Sequence, residues 1–195
     1  LECLKSAELA GAEVLVLCDT NGGTLPTEIT NIIRSVSSET NVKLGIHTHN
    51  DADSAVAGTI AAVESGVFQI QGTINGYGER CGNANLISII ANLKLKMGID
   101  CITDEQMEFL TNVSLHIAEI ANMRSIPSQP YVGSSAFAHK GGIHAAAVQK
   151  IEDSYQHIKP SIVGNDKRIL VSELSGRSNV LYKVTELGIE IKLSK

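Results

Sequence analysis

Short apolar runs recur along the first half of the chain, separated by longer segments that mix polar and small residues. An uninterrupted apolar run is typical of a strand that is buried on both faces of a parallel sheet. The sequence predicts two such strands, at 14–18 and 42–48, and a third strand at 68–72. Helices are predicted around them, at 1–10, 26–38, 51–65 and 84–97. Pro26 fits the first turn of its helix, and glycine follows three of the helices, at positions 11, 66 and 98.

This alternation of strands and helices implies a parallel sheet that is covered by helices. Two architectures fit it, a portion of a (β/α)8 barrel or a doubly wound open sheet, and in both the functional groups gather where the strands end. Polar side chains follow all three predicted strands: Asp19 and Thr20, His47 and His49, and Thr73 and Asn75. Three neighbouring strand ends with polar side chains indicate a functional edge of the sheet.

The alternation stops after Gly98. A long helix is predicted at 103–123, with Thr103 as its N-cap and His116 in a structural position. We therefore divide the chain into a barrel or open-sheet region at 1–98, a helical linker subdomain at 99–160, and the start of a small α+β subdomain at 161–195. Both ends of the chain fall within predicted elements, so we expect a fragment of a longer protein.

The composition narrows the classes of function. The 195 residues are 43% hydrophobic and 19% charged, which is enough for a packed core. A formal net charge of -5, 4% aromatic residues and the absence of Trp argue against nucleic acid or an anionic membrane as a partner. No signal peptide and no run long enough to span a bilayer is recognisable. The four cysteines show no CxxC spacing, so we expect reduced, mostly buried thiols in a cytoplasmic protein.

The segment GIHTHND, at 45–51, places two histidines at the end of the second strand. Side chains two residues apart point to the same face of a strand, so His47 and His49 can reach one point in space. Two converging imidazoles are typical ligands of a divalent metal. One core histidine and one surface histidine is the alternative, which the polar residues at the neighbouring strand ends disfavour. Asn50 and Asp51 fit a supporting role or the cap of the next helix.

A glycine-rich segment, QGTINGYGERCGNAN, follows the third strand. Its glycines at 76, 78 and 82 do not have the GxGxxG spacing of a dinucleotide site. A glycine-rich turn before a helix N-terminus can still hold a phosphate or an acyl thioester. A tight turn in which Glu79 and Arg80 form a local ion pair explains the segment equally well.

Two longer segments together resemble the family of 2-isopropylmalate, homocitrate and citramalate synthases. They are GIHTHNDADSAVAGTIAAVESGV and GTINGYGERCGNANL. Three further segments match the same family: LCDTNGGTLP, SSAFAHKGGIHAAAVQK and VSELSGRSN. All the matches occur in the order in which the family has them, from about residue 10 to residue 182. The resemblance implies the last three β/α units of a (β/α)8 TIM barrel, followed by a small α+β linker region. Within the family, DTNGGTLP, NGYGERCGNAN and AFAHKGGIH are most similar to citramalate synthases.

The resemblance also implies roles for residues at the motif positions. His47, His49 and Asn83 match the positions that bind a divalent metal such as Mg2+, Mn2+ or Zn2+. Thr20 matches the threonine near the carboxylate of a small 2-oxo acid.

Two further groups of residues match family positions outside the metal site. Gly76, Gly78 and Glu79 match the loop that holds acetyl-CoA. His144 matches the histidine that an arm of the partner subunit contributes to proton transfer, and Tyr155 loosely matches an accessory tyrosine. A homodimer is therefore implied as well.

The reaction that the resemblance implies is a metal-dependent Claisen condensation of acetyl-CoA with pyruvate to citramalate, on the isoleucine branch. Condensation with 2-oxoisovalerate, on the leucine branch, is the first alternative. A hydroxymethylglutaryl-CoA lyase-like aldol cleavage is the second, although those lyases lack the AFAHKGGIH arm. The family's Arg-Asp motif, which supplies a third metal ligand, and its middle-strand glutamate have no match here. The isolated chain therefore also fits an inactive metal-binding or dimerisation fragment.

Overall fold

The computed structural model describes residues 1–139, 156–166 and 168–169, together with the single positions 184 and 188. The chain forms two compact units, Leu1–Ile102 and Thr103–Lys195, and each is described by itself. The first unit contains every predicted metal, 2-oxo acid and acetyl-CoA position.

Four helices and three strands alternate in the first unit. The helices are α1 (Glu2–Leu9), α2 (Pro26–Ser37), α3 (Ala55–Glu64) and α4 (Leu86–Lys96). The strands are β1 (Val14–Asp19), β2 (Lys43–Thr48) and β3 (Gln69–Gln71). All these predicted elements are confirmed in the predicted order, with bounds close to those expected except at the start of α3.

The three strands form a parallel sheet with β2 in the centre. The register aligns His47 of β2 with Cys18 of β1 on one side and with Gln71 of β3 on the other. The prediction that β1 is buried on both faces is wrong, because only Leu15 of its six residues is buried, whereas four of the six residues of β2 are buried. Within the described sheet only β2 has a strand on either side, so its apolar residues are the best buried.

One core fills the space between the sheet and the two helices α2 and α3. Its buried members alternate along the strands and recur at helical spacing along α2: Leu15, Ile29, Ile33, Val36, Leu44, Ile46 and Ala62. Ile33 is only 1% exposed, and truncating such a side chain costs about 2–5 kcal/mol. Because Leu44 and Ile46 face the helices, the period of two directs His47 to the opposite face of β2.

The helix predicted from residue 51 begins four residues later, at Ala55. Asp53 has a φ of 52°, in the left-handed region that a right-handed helix cannot include. Asn50 Oδ1 accepts a hydrogen bond of 3.0 Å from Ala55 N, which satisfies an amide at the start of α3. The residues between β2 and α3 therefore form a tight loop at the strand ends.

The second unit begins with two short helices, α5 (Asp104–Met107) and α6 (Leu110–Ile120). The prediction of one helix at 103–123 is wrong, because Phe109, at φ -92° and ψ -4°, interrupts the regular helical backbone. The predicted N-cap is confirmed, since Thr103 Oγ1 accepts from Gln106 N at 3.2 Å and Gln106 Oε1 accepts from Thr103 N at 2.9 Å. Farther along, β4 (Ala138–His139) and β5 (Arg168–Ile169) form a parallel pair.

The four cysteines carry free thiols, but all are exposed: Cys3, Cys18, Cys81 and Cys101. The expectation of mostly buried thiols is therefore wrong. They lie in α1, at the end of an outer strand and in two loops, and none of these positions faces a core. Among the described residues, no helix combines the length and apolar character that a membrane crossing requires.

Candidate metal centre at the strand ends

The last residues of β2 direct their side chains alternately to the two sides of the sheet. Thr48 is buried on the helix side, where its Oγ1 lies 3.0 Å from Thr59 Oγ1 and 3.2 Å from Ala55 O. His47 and His49 point to the other side, with ring centroids 5.3 Å apart and ring planes at 63°. The structure thus brings the two predicted histidines together.

Asn83 joins the histidines from the far end of the glycine-rich loop. It forms an isolated antiparallel bridge with His49. One residue farther on each side, Asn50 N donates to Gly82 O at 2.9 Å. Backbone hydrogen bonds therefore hold Asn83 directly opposite His49.

Two buried polar atoms at this junction, His49 Nδ1 and Asn83 Oδ1, have no hydrogen-bond partner. Buried polar atoms are nearly always paired, and an unpaired one costs about 1–3 kcal/mol. An imidazole nitrogen and an amide oxygen are both donor atoms for divalent metals, so an ion between them would satisfy both. The donor set of His47, His49 and Asn83 therefore fits a divalent metal.

No group of three His, Cys, Asp or Glu side chains is arranged to hold a metal ion in the described portion of the chain. The candidate donors of this edge are consequently two imidazoles and one amide.

Gly76 and Gly78 shape the space around Asn83. A Cβ at Gly78 would lie 3.0 Å from Cγ, Nδ2 and Oδ1 of Asn83, so the amide packs directly on this glycine. Gly76 has a φ of 71°, and its carbonyl accepts from Asn83 N at 2.9 Å. The two glycines predicted to contact acetyl-CoA thus also position the amide, while Glu79 lies exposed on the same loop.

The end of β1 forms a second portion of this edge. Asp19 holds the loop that follows it, because Thr24 donates to its carboxylate through Oγ1 at 2.7 Å and through N at 3.3 Å. Thr20, the predicted 2-oxo acid residue, is exposed and lines a cleft of about 790 Å³. The walls combine polar loop residues with apolar residues of the core side: Asp19, Asn21, Thr24, Ile29, Ile33 and Ile46. Because Ile29, Ile33 and Ile46 belong to the core between the sheet and its helices, the cleft opens on the face of β2 opposite to His47 and His49, and its lining contains none of the three candidate metal donors.

Arg80 links the loops after all three strands, which the sequence analysis did not predict. Its Nε donates to Asp51 Oδ1 at 2.8 Å, and its Nη2 donates to Asp51 Oδ2 at 3.0 Å and to Thr20 O at 2.8 Å. The alternative of a local ion pair between Glu79 and Arg80 is wrong, because the folded loops bring Asp51 within reach of both Nε and Nη2 of Arg80. Opposite charges after neighbouring strand ends were the available signal.

The ion pair shifts the titration of both partners. The hydrogen bond from Arg80 is the main cause of the lowered pKa of Asp51, and the same bond raises the pKa of Arg80. Both groups are therefore charged at neutral pH.

The two residues predicted for proton transfer, His144 and Tyr155, lie outside the described residues. Their roles stay predictions from the resemblance.

Comparisons with known proteins agree with the motifs. A family model described as HMGL-like matches residues 1–125, and one described as homocitrate synthase post-HMGL domain-like matches residues 131–195. An (R)-citramalate synthase of Geobacter sulfurreducens is 53% identical over 191 residues, which are 98% of this chain and 36% of that protein. A 2-isopropylmalate synthase of Methanocaldococcus jannaschii is 35% identical over 191 residues, 98% of this chain and 36% of that protein. The chain thus spans roughly a third of the length of these curated relatives.

The fold comparison resolves the choice between the two architectures. An HMG-CoA lyase of Bacillus subtilis superposes with a TM-score of 0.55 at 22% identity, over 66% of this chain and 45% of that one. The α/β prediction is confirmed as a portion of a TIM barrel, and the doubly wound sheet is set aside. Because one family model covers residues 1–125, more than half of its length, the chain belongs to the HMGL-like family.

Proposed function

We propose that this chain belongs to a citramalate synthase, which condenses acetyl-CoA with pyruvate and hydrolyses the thioester. The observation that carries the proposal is the pair of unpartnered buried donors, His49 Nδ1 and Asn83 Oδ1, beside His47. The choice of pyruvate is supported by the Geobacter sulfurreducens relative, whose 53% identity exceeds the 35% of the 2-isopropylmalate synthase.

The proposed roles follow from the positions of the residues. His47, His49 and Asn83 hold a divalent metal, which when bound supplies Lewis-acid polarisation of the 2-oxo acid carbonyl. The resemblance implies a further carboxylate ligand from the family's Arg-Asp motif. Thr20 binds the carboxylate of the 2-oxo acid, a role that is supported by its place directly after β1, at the same edge of the sheet as the ends of β2 and β3.

The remaining roles concern acetyl-CoA and the proton. Gly76, Gly78 and Glu79 lie along the bound acetyl-CoA, and the exposure of Glu79 supports this placement. His144 accepts a proton from the acetyl methyl group, with Tyr155 as its accessory, since an imidazole titrates near neutrality. The carbanion then attacks the ketone carbon of pyruvate, the ketone oxygen takes up a proton, and water cleaves the thioester to release CoA.

Release of CoA thiol tests the substrate. The complete protein that contains these residues is incubated with acetyl-CoA, Mn2+ and either pyruvate or 2-oxoisovalerate, with a chelated sample as control. We expect metal-dependent release that is faster with pyruvate by at least tenfold, about 1.4 kcal/mol in transition-state binding. Preference for 2-oxoisovalerate would instead establish the leucine-branch reaction, for which the Methanocaldococcus jannaschii relative is the supporting observation. No release with either, but cleavage of hydroxymethylglutaryl-CoA, would favour the lyase.

We further propose a cytoplasmic homodimer. The second unit exposes large apolar side chains on and beside α6, including Phe109, Leu115 and Ile120, which supports an interface between copies. Four free thiols support a reducing compartment. Light scattering of the complete protein should give twice the monomer mass, and a monomer at micromolar concentration would refute the dimer. The 195 residues alone hold only some of the proposed site, so we expect them to be inactive.

A further inference from the structure

The side chain of Arg80 fastens two loops, and the turn in which it lies does not account for it. Both of its contacts to Asp51 and its contact to Thr20 O are between 2.8 and 3.0 Å. Its backbone has a φ of 56°, where glycine or asparagine is favoured and a long side chain is rare. The bonds of the guanidinium, rather than the backbone conformation, are therefore the structural reason for an arginine at this position.

The partner loop has no slack around Asp51. A Cβ at Gly22 would fall against Asp51 Oδ2 and would lie 2.9 Å from both Asp51 N and His49 Cβ. Ala52 N donates to Gly22 O at 2.9 Å, and so the β1 and β2 loops are in direct contact. Gly22 therefore lies in close contact with both Asp51 and His49, which are two residues apart in the chain.

The loop that carries Arg80 is equally constrained. A Cβ at Gly82 would fall against Gly76 O, so the backbone at the two ends of this loop is in direct contact. Asn83 follows immediately and bridges to His49. The loop thus fixes Arg80 and Asn83 relative to each other, while the ion pair fixes the loop relative to Asp51.

We propose that Arg80 is a positioning residue, which sets the spacing between His49 and Asn83 and thereby the affinity of this edge for a divalent cation. The inference rests on the metal site proposed above. Arg80 itself does not contact the cation. Its guanidinium holds the two loops whose ends carry the donor atoms.

An ordinary surface ion pair is the competing explanation. Lys94 and Asp100 form a pair of the same length, 2.8 Å, at the end of α4 and away from the strand-end loops. Exposed pairs contribute little to the free energy of unfolding. Both pairs should therefore have similar, small effects on stability, and only the pair of Arg80 should affect cation affinity.

Calorimetric titration of the complete protein with Mn2+ alone separates the two explanations. Arg80→Gly removes the guanidinium but suits the φ of 56°, so the loop backbone can keep its conformation. We expect about tenfold weaker Mn2+ binding, the lower end of the effect of residues that orient metal ligands. Arg80→Lys should fall between, because an ammonium cannot reproduce the fork that serves Asp51 and Thr20 together. Asp100→Asn, the matched control, should bind Mn2+ within twofold of the parent.

Each result supports or overturns the inference. Should the parent protein bind no Mn2+, the proposed metal site fails and the inference fails with it. Equal binding by the parent and Arg80→Gly would overturn the positioning role alone. Circular dichroism checks the fold of each variant, and Asp51→Asn, which breaks the same pair from the other side, decides the matter if Arg80→Gly is unfolded.

Discussion

The two edges of the parallel sheet in Leu1–Ile102 use glycine for different purposes. At the edge where the strands end, Gly22 leaves no room for a Cβ beside His49 and Asp51. At the edge where the strands begin, Gly11 and Gly66 have φ values of 91° and 96°, and nothing lies within 4 Å of the position of an added Cβ. The first glycine permits close contact between loops, whereas the other two only permit a turn.

The two edges also differ in whether their polar side chains have hydrogen-bond partners. Where the strands begin, Lys5 pairs with Glu39 at 2.8 Å, and Thr40 Oγ1 donates to Glu8 at 2.8 Å. Where the strands end, Arg80 likewise pairs with Asp51, but the buried atoms His49 Nδ1 and Asn83 Oδ1 have no partner, and Arg80 is held in the left-handed region. In β/α barrels the strand-end edge carries the chemistry and the opposite edge carries stability. The contrast therefore supports the proposed site independently of the sequence motifs.

Removing one histidine from the strand-end edge should have the largest effect. With His47→Ala we expect Mn2+-dependent turnover to fall by about 10³ or more, because metal stabilisation of transition-state charge is worth several kcal/mol. Turnover and bound Mn2+ are measured on the complete protein.

Lys43→Ala is the matched control, since Lys43 begins the same strand at the opposite edge. The variant loses the contact between Lys43 Nζ and the Phe68 ring, whose centroid lies 3.9 Å away. Its turnover should stay within twofold of that of the parent. Near-normal activity of His47→Ala with a normal Mn2+ content would remove His47 from the proposed donor set.

Alanine at two glycines tests the difference in crowding. Gly66→Ala should cost about 1–2 kcal/mol of unfolding free energy, because an L residue is strained at its φ of 96°. Gly22→Ala carries the same kind of strain and in addition a collision with Asp51 and His49, which adds roughly 1–3 kcal/mol. Urea unfolding of both variants gives the two values. Equal values would mean that the strand-end loops yield easily, contrary to the close contact described above.

The face of β2 at the strand ends can be tested between the two histidines. Thr48→Val removes a buried hydroxyl that lies 3.0 Å from Thr59 Oγ1, and should cost about 1 kcal/mol of unfolding free energy. Because Thr48 faces the helices, the Mn2+ affinity should stay within twofold of the parent. A loss of affinity without a loss of stability would show that the assignment of faces is incorrect.

Local patterns were sufficient to predict the elements and the two histidines, but not the contacts between loops. The apolar runs locate β1, β2 and β3, and the spacing of His47 and His49 predicts their common side. The start of α3 is predicted four residues too early because Asp53 adopts a left-handed φ, which the neighbouring residues do not indicate. The break at Phe109 was missed for a similar reason, since the apolar period continues through it.

Partner choice over long sequence separations was the other source of error. Arg80 has an acidic neighbour at 79, yet its hydrogen-bonded partner is Asp51, 29 residues earlier. Only the folded approach of the two loops decides between these carboxylates. The exposure of the four cysteines likewise depends on which faces the elements bury, which composition does not reveal.

The smallest effect is expected from Glu39→Gln at the strand-beginning edge. The hydrogen bond and charge of Lys5 lower the pKa of Glu39, so the folded state favours the ionised carboxylate. Its stabilisation is therefore present above the unfolded-state pKa, about 4.3, and is lost as the pH falls through the lower folded-state pKa. The variant should be slightly less stable than the parent at pH 7, and the difference should vanish in acid and shrink in high salt.

The pKa of Asp51 is shifted in the same direction as that of Glu39, since the hydrogen bond from Arg80 lowers it. Both ion pairs therefore give the same pH dependence of the free energy of unfolding, which does not distinguish the two edges. Mn2+ affinity at pH 7 can, because Glu39→Gln leaves every residue around His49 and Asn83 in place. If Glu39→Gln nevertheless weakened Mn2+ binding as much as Arg80→Gly, the two edges would be energetically coupled, and the division into a functional and a stabilising edge would have to be abandoned.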